Sequence, residues 1–156
     1  VDLELSWGTG GGDLILEAGD LSDQGGIVTA VLVSLFSDAL APADDTRPLL
    51  EQDRRGYWAE VPGDTYGSFL WQLDRAKSTS ETAAKAAGSA SAALDWLLTA
   101  GIAASVSASA SYLADGTLSL VVNVTRGTSK KWASLWTDAE TLLLRSEGLL
   151  LQVSPG

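Results

Sequence analysis

Residues 104–124 constrain the fold of this chain more tightly than any other stretch. Ala104, Val106, Ala108, Ala110 and Tyr112 occupy the even positions, with Ser105, Ser107, Ser109 and Ser111 between them. On the return, Leu118, Leu120, Val122 and Val124 are again even and apolar. A period of two places successive side chains on opposite faces, so both runs read as strands with one dry and one wet face. A two-residue Asp115-Gly116 turn would set Tyr112 against Ser119 and mix the faces, which packing against a core penalises. A three-residue Ala114-Asp115-Gly116 loop instead pairs Tyr112 with Leu118, Ala108 with Val122 and Val106 with Val124, and places Gly116 at the left-handed position of a bulge. That register is expected, with Ser111–Ser119 and Ser107–Asn123 on the wet side.

Around this hairpin the other elements follow from local patterns. Asp2–Trp7 and Asp13–Glu17 alternate as short strands joined by Gly8–Gly12. Those glycines lack the following helix and the basic residue that a phosphate cradle needs. Residues 27–38 are rich in β-branched residues, but strand alternation fails. Helical spacing puts Val28, Leu32, Leu35 and Phe36 on one stripe, so a buried helix is expected. From Leu40 to about residue 66 the composition turns to Pro, Asp, Arg and Gly, an irregular connection. A short helix over Gly67–Arg75 carries Phe69, Leu70 and Leu73 on one side. Ser78-Thr-Ser-Glu81 matches a capping box and opens a helix of about twenty residues that stops at Gly101. Its stripe of Ala83, Ala87, Ala90, Leu94 and Leu97 is mostly small, allowing close approach to a neighbour, and Glu81 with Lys85 makes an outward i, i+4 pair. Lys130–Trp136 reads as a further strand, Ala139–Arg145 as a short helix behind Asp138, and the apolar tail at about 146–156 as either a strand or a partner contact.

The result is an α+β fold. A small, mainly antiparallel β-sheet carries two to three helices on one face, within a single domain over residues 1–156. The length suits one domain. No apolar run of membrane-spanning length occurs, and neither does a secretory pattern of basic and apolar regions, so no membrane partner is expected.

Composition limits the chemistry. The 156 residues contain neither cysteine nor histidine. Disulfides, thiolate nucleophiles, Cys- or His-based metal sites and Ser-His-Asp arrangements are therefore impossible within the chain. The net charge is −10, with 20 acidic residues crowded toward the first 64 positions. Such a surface repels phosphates, so no nucleic-acid partner is expected; it suits a solvated face or a basic partner. Neighbouring carboxylates such as Asp44 with Asp45 or Glu51 with Asp53 are unavoidable at this density and do not by themselves define a glycosidase pair. No calcium-loop spacing surrounds Asp20 and Asp23. No cofactor is implied. Of the tryptophans, Trp96, Trp132 and Trp136 suit core packing. Trp58, beside Arg54 and Arg55, suits either an interface anchor or a plug folded back onto the domain.

One segment is distinctive as a motif. Asp53-Arg54-Arg55-Gly56-Tyr57-Trp58, followed by Gly67-Ser68-Phe69-Leu70-Trp71-Gln72-Leu73, resembles the Mu-like phage baseplate family, with its Asp-Arg-Arg-Gly-Trp-Trp and Gly-Ser-x-Leu-Trp-Leu signatures. Gly12-Asp13-Leu14, Thr29-Ala30-Val31, Ser34–Asp38, Arg75-x-Lys77 and Leu135-Trp136 extend the likeness over about residues 12–136. Tyr57 and Gln72 depart from the family's Trp and Leu. The resemblance implies a structural subunit of a contractile-tail baseplate in a phage, a prophage or a phage-derived particle, similar to the wedge subunit that helps initiate the sheath. It also implies a symmetric assembly with other baseplate, tube or sheath proteins, made in the bacterial host cytoplasm and without enzymatic activity. On this reading Arg54, Arg55 and Trp58 contact partners or brace the loop, Gly67, Leu70 and Trp71 fix the following helix, and Asp53 and Gly56 complete the interaction or signature set. The alternatives are a lysozyme-type hydrolase and a soluble adaptor unrelated to tails.

Overall fold

The computed structural model describes residues 3, 5–8, 11–21, 26–45, 54–60, 66–74, 76–127, 142–146 and 149–155. Strands β5 (Ala103–Tyr112) and β6 (Leu118–Arg126) form the expected hairpin, pairing Tyr112 with Leu118, Ala108 with Val122 and Val106 with Val124. The turn chemistry explains the register. Gly116 N–H donates to Leu113 O at 3.0 Å, and Leu113 N–H donates to Thr117 O at 2.8 Å. Asp115 Oδ1 accepts from Thr117 N–H at 2.9 Å. Gly116 lies at φ 83°, which a side chain rarely adopts. At the far end the register slips between Ala103 and Ser105. Ala104 is therefore a bulge residue and is exposed, not on the inward face that alternation assigned to it.

The sheet continues beyond the hairpin. β7 (Leu142–Ser146) and β8 (Leu149–Pro155) are antiparallel to each other, β8 runs parallel to β6, and the order is β5-β6-β8-β7. Two corrections follow. Leu142–Arg145, expected in a short helix over Ala139–Arg145, is strand, because its backbone finds a ladder in β8. The apolar tail pairs as a strand over Leu149–Pro155, and the strand is the first of its two expected fates. Expectations for Lys130–Trp136, including Trp132 and Trp136, lie outside the described residues.

At the other end of the chain, β1 (Leu5–Gly8) pairs with β2 (Gly11–Leu14). The expected Asp13–Glu17 run divides at Ile15. Leu16–Glu17 (β3) starts a second hairpin with Asp20–Leu21 (β4), turned through Ala18 and Gly19 at φ 51° and 89°.

Helix α1 spans Gly26–Phe36. Its buried face is Ile27, Val31, Leu32 and Leu35, while Phe36 is 42% exposed, so the helix is rotated from the expected stripe. An almost wholly apolar helix has little amphipathic signal to fix its face in advance. Helix α2 covers Ser80–Ala93 and α3 Asp95–Thr99, broken at Leu94. The N-cap is Thr79 and not Ser78: Thr79 Oγ1 accepts from Thr82 N–H at 3.2 Å. Glu81 does not reach back, because it pairs forward with Lys85 at 2.8 Å. That hydrogen bond, and then the Lys85 charge, hold the Glu81 carboxyl below its ordinary value. The small stabilisation from this exposed pair is present above the unfolded glutamate pKa and is lost as pH falls through the folded one. After α3, Gly101 N–H donates to Leu98 O at 2.9 Å and Ile102 N–H to Leu97 O at 2.9 Å, the paired bonds of a Schellman ending.

The core lies between the helices and one sheet face. Leu120, Val122 and Val124 of β6 meet Ile27, Val31, Leu32 and Leu35 of α1 and Ala90, Leu94, Leu97 and Ile102 of the α2–α3 region. Along α2, Ala83, Ala86 and Ala90 are buried, and Ala108 and Ala110 of β5 pack into the same cores. Alanine on alanine brings the helix down onto the strand and leaves no room for a longer side chain. Gly88, on the outer side of the same helix, faces open space. Accordingly, Ala86→Leu is expected to lower stability by about 1–3 kcal/mol, and Gly88→Ala to raise it by about 0.5–1 kcal/mol. Urea unfolding followed by circular dichroism checks both signs; a neutral Ala86→Leu would contradict the close-packed interface.

Candidate functional site

The distinctive segment folds around the C-terminal end of α1. The chain leaving α1 forms a parallel bridge, Asp38 with Ser68, in which Ser68 N–H donates to Ser37 O at 2.8 Å and Ala39 N–H to Ser68 O at 2.9 Å. The Ser68 hydroxyl, 2% exposed, donates to Leu35 O at 2.6 Å and accepts from Leu70 N–H at 3.2 Å. It thereby satisfies a carbonyl that the end of α1 leaves open. Gly67 makes this approach possible. It sits at φ 89°, and a Cβ there would lie 2.5 Å from Ser37 O. Phe69 N–H reaches α2 through Ser89 Oγ at 2.8 Å. Leu70–Leu73 then form one 3-10 turn, shorter than the expected helix, with Leu70 packed on the core.

The two arginines reach the same frame from the irregular connection. Arg54 O accepts from Ala41 N–H at 2.9 Å, and Arg54 Nε donates to Ala41 O at 2.6 Å. Arg55, at φ 53°, pairs with Asp38 through Nη1 and Oδ2 at 2.8 Å. Its guanidinium carbon lies 4.8 Å from the centre of the Trp71 ring. The Trp71 indole N–H in turn donates to Ala39 O at 3.1 Å. Asp38, Arg55 and Trp71 are thus stacked in one unit, combining a partly exposed ion pair with a cation–π contact. Gly56 follows at φ 94°, close enough that a Cβ would meet Leu40 Cβ at 2.7 Å. Asp53 lies outside the described residues.

Beyond Gly56 the chain turns outward. Glu60 N–H donates to Tyr57 O at 3.0 Å, closing a turn whose second residue is Trp58. Trp58 is 91% exposed, so it is not a plug against the domain. Tyr57 stands between it and Tyr66, with ring centroids 5.7 and 5.3 Å away. Trp96, expected in the core, is 43% exposed and anchors its indole N–H on Ser34 Oγ of α1 at 3.0 Å.

The stacked unit also forms one wall of an open groove of about 440 Å³, with Leu70 and Leu73 along it and Tyr112, Gly116 and Leu118 of the hairpin opposite. Its carboxylates are Asp38, engaged by Arg55, and Asp74. Among the described residues no helix is long and apolar enough to cross a membrane. Of the residues singled out in the sequence, Arg54, Arg55, Gly56, Gly67, Leu70 and Trp71 come together, and Trp58 stands away from them. Sequence reasoning missed Asp38 and Ser68 as the residues that join the pieces; the Gly-Ser dipeptide was the only signal for the second.

Comparison with known proteins gives a consistent picture. The model of the family described as phage protein GP46 matches residues 27–131. Baseplate protein gp46 of Escherichia phage Mu is 39% identical over 129 residues, covering 80% of this chain and 86% of that protein. The Mu-like prophage FluMu protein gp46 of Haemophilus influenzae is 38% identical over 112 residues, covering 70% of this chain and 76% of that protein.

The geometry sets two expected losses. Gly67→Ala forces a Cβ into backbone at a left-handed position and should cost about 1–3 kcal/mol. Arg55→Ala removes the partly exposed ion pair and the cation–π contact and should cost about 1 kcal/mol. Thermal and urea unfolding measure both; unchanged stability in Gly67→Ala would contradict the observed contact with Ser37.

Proposed function

The chain belongs to the family of phage protein GP46, and on that footing we propose that it is a structural subunit of a contractile-tail baseplate. The observation that carries the reading is the likeness to the Mu baseplate protein, which extends over 86% of that protein's length. A baseplate subunit works by holding several neighbours in fixed geometry, and its own contribution is a stiff, shaped surface. The structure supports such a role through the segment around Arg54–Trp71. Arg54, Arg55, Gly56, Gly67, Leu70 and Trp71 brace the irregular connection against α1, while Trp58 is presented to the outside.

The partners are other baseplate, tube or sheath proteins in a symmetric assembly around the tail. The site of action is the tail baseplate of a virion or a prophage-derived particle, after synthesis in the host cytoplasm. The subunit acts without a cofactor and without catalysis. The groove beside Trp71 fits this role as a contact surface, since its walls are mixed polar and apolar and its Asp38 carboxylate already serves Arg55.

Deleting the gene from a phage or inducible prophage that encodes this chain should leave no complete contractile tails in electron micrographs, and a tagged copy supplied in trans should restore them and copurify with sheath and tube proteins. Normal tails lacking the chain would contradict the reading. So would cell-wall hydrolysis by the purified protein that a single Asp or Glu substitution abolishes.

A further inference from the structure

Resting on the baseplate reading, we propose that Trp58 is the anchor of a protein–protein contact, seating its indole in an apolar pocket rimmed by Lys or Arg on a neighbouring tail protein. The first ground is exposure without looseness. Trp58 is 91% exposed, the largest value among the exposed large apolar side chains of the described residues. Yet it stands on a turn closed by Glu60 N–H to Tyr57 O, and the chain leading into that turn is tied down by Arg54 to Ala41 and Arg55 to Asp38. A tryptophan held in water forfeits the stabilisation that burial of its ring would bring, and nothing in the hydrogen bonding of the turn requires an indole. Tyr57, 46% exposed, and Tyr66, 36% exposed, extend the apolar surface beside it. Trp and Tyr on a preorganised support are the residues that dominate protein interfaces, because little entropy is lost when they are buried.

The second ground is charge, which selects the partner. The described residues 38–45 and 54–60 carry four carboxylates, Asp38, Asp44, Asp45 and Glu60, against the two guanidiniums of Arg54 and Arg55. Arg55 is paired with Asp38, and Arg54 is turned to a backbone carbonyl. This excess of carboxylates in the segments that carry and precede the turn suits a partner surface bearing Lys or Arg. The same carboxylates repel a phosphate-bearing surface. They also disfavour a second copy of a chain whose net charge is −10.

The test uses tails assembled in cells. The photo-crosslinker p-benzoylphenylalanine is placed at position 58, and separately at position 107 on the exposed serine face as a control, and Trp58→Ala and Trp58→Phe are compared with the wild type. The proposal expects a crosslink from position 58, and none from 107, to a different tail protein at a peptide containing Lys or Arg. It expects Trp58→Ala to reduce the chain's recovery in purified tails by about tenfold or more, the effect of one interface hot spot. Trp58→Phe should keep more of it, and the melting temperature of the purified Trp58→Ala chain should match the wild type. Wild-type recovery of Trp58→Ala, no crosslink from position 58, or a crosslink only to another copy of this chain would overturn the proposal while leaving the baseplate reading intact. Absence of the wild-type chain itself from tails would end both.

Discussion

The short backbone bridge between Ser37–Ala39 and Ser68 is the contact on which the rest of the functional segment depends. It fixes the exit direction of α1, because Ser68 takes the Leu35 carbonyl that the helix end leaves open. It places Ala39 O where the Trp71 indole donates to it, and so sets the ring under Arg55. Arg55 then closes on Asp38, a member of the bridge itself. Each contact is modest when taken singly, since partly exposed ion pairs and cation–π contacts contribute about 1 kcal/mol or less apiece. Together they share one frame, and removing the bridge would release all of them.

The same logic of close approach runs through the fold. Alanine on α2 faces alanine on β5, and Gly67 lies against the Ser37 carbonyl. In both places the absence of side-chain volume allows two backbones to meet.

Legibility in the sequence followed the range of the interactions. The β5–β6 register was readable because parity and the Ala114-Asp115-Gly116 loop are both local, and a one-residue slip would have put serines into the core. The ending at Gly101 and the Glu81–Lys85 pair were readable for the same reason. The rotation of α1, the cap at Thr79 one residue late, the break at Leu94 and the strand at Leu142–Ser146 were not. The face of α1 was decided by packing against elements distant in sequence, and the strand at Leu142–Ser146 by pairing with β8, where local propensity is a weak guide. At the cap, Ser78 and Thr79 are both good N-cap residues, and only the backbone geometry chooses between them. In the functional segment the motif identified the family, but spacing could not reveal that Arg55 would meet Asp38, 17 positions away. Nor could it show that Ser68 would meet Leu35, 33 positions away. It likewise left open whether Trp58 faces inward or outward; only the turn at Tyr57–Glu60 decides that.

We propose that this chain is a baseplate subunit whose Arg–Trp segment is braced against α1 while Trp58 faces a neighbour. Electron cryomicroscopy of intact tails carrying the chain tests it most directly. Density for the chain is expected at the baseplate, with Arg55 stacked on Trp71 and the Trp58 ring buried against another tail protein. Density in which Trp58 stands in solvent, or a complete baseplate in which this chain has no place, would contradict it.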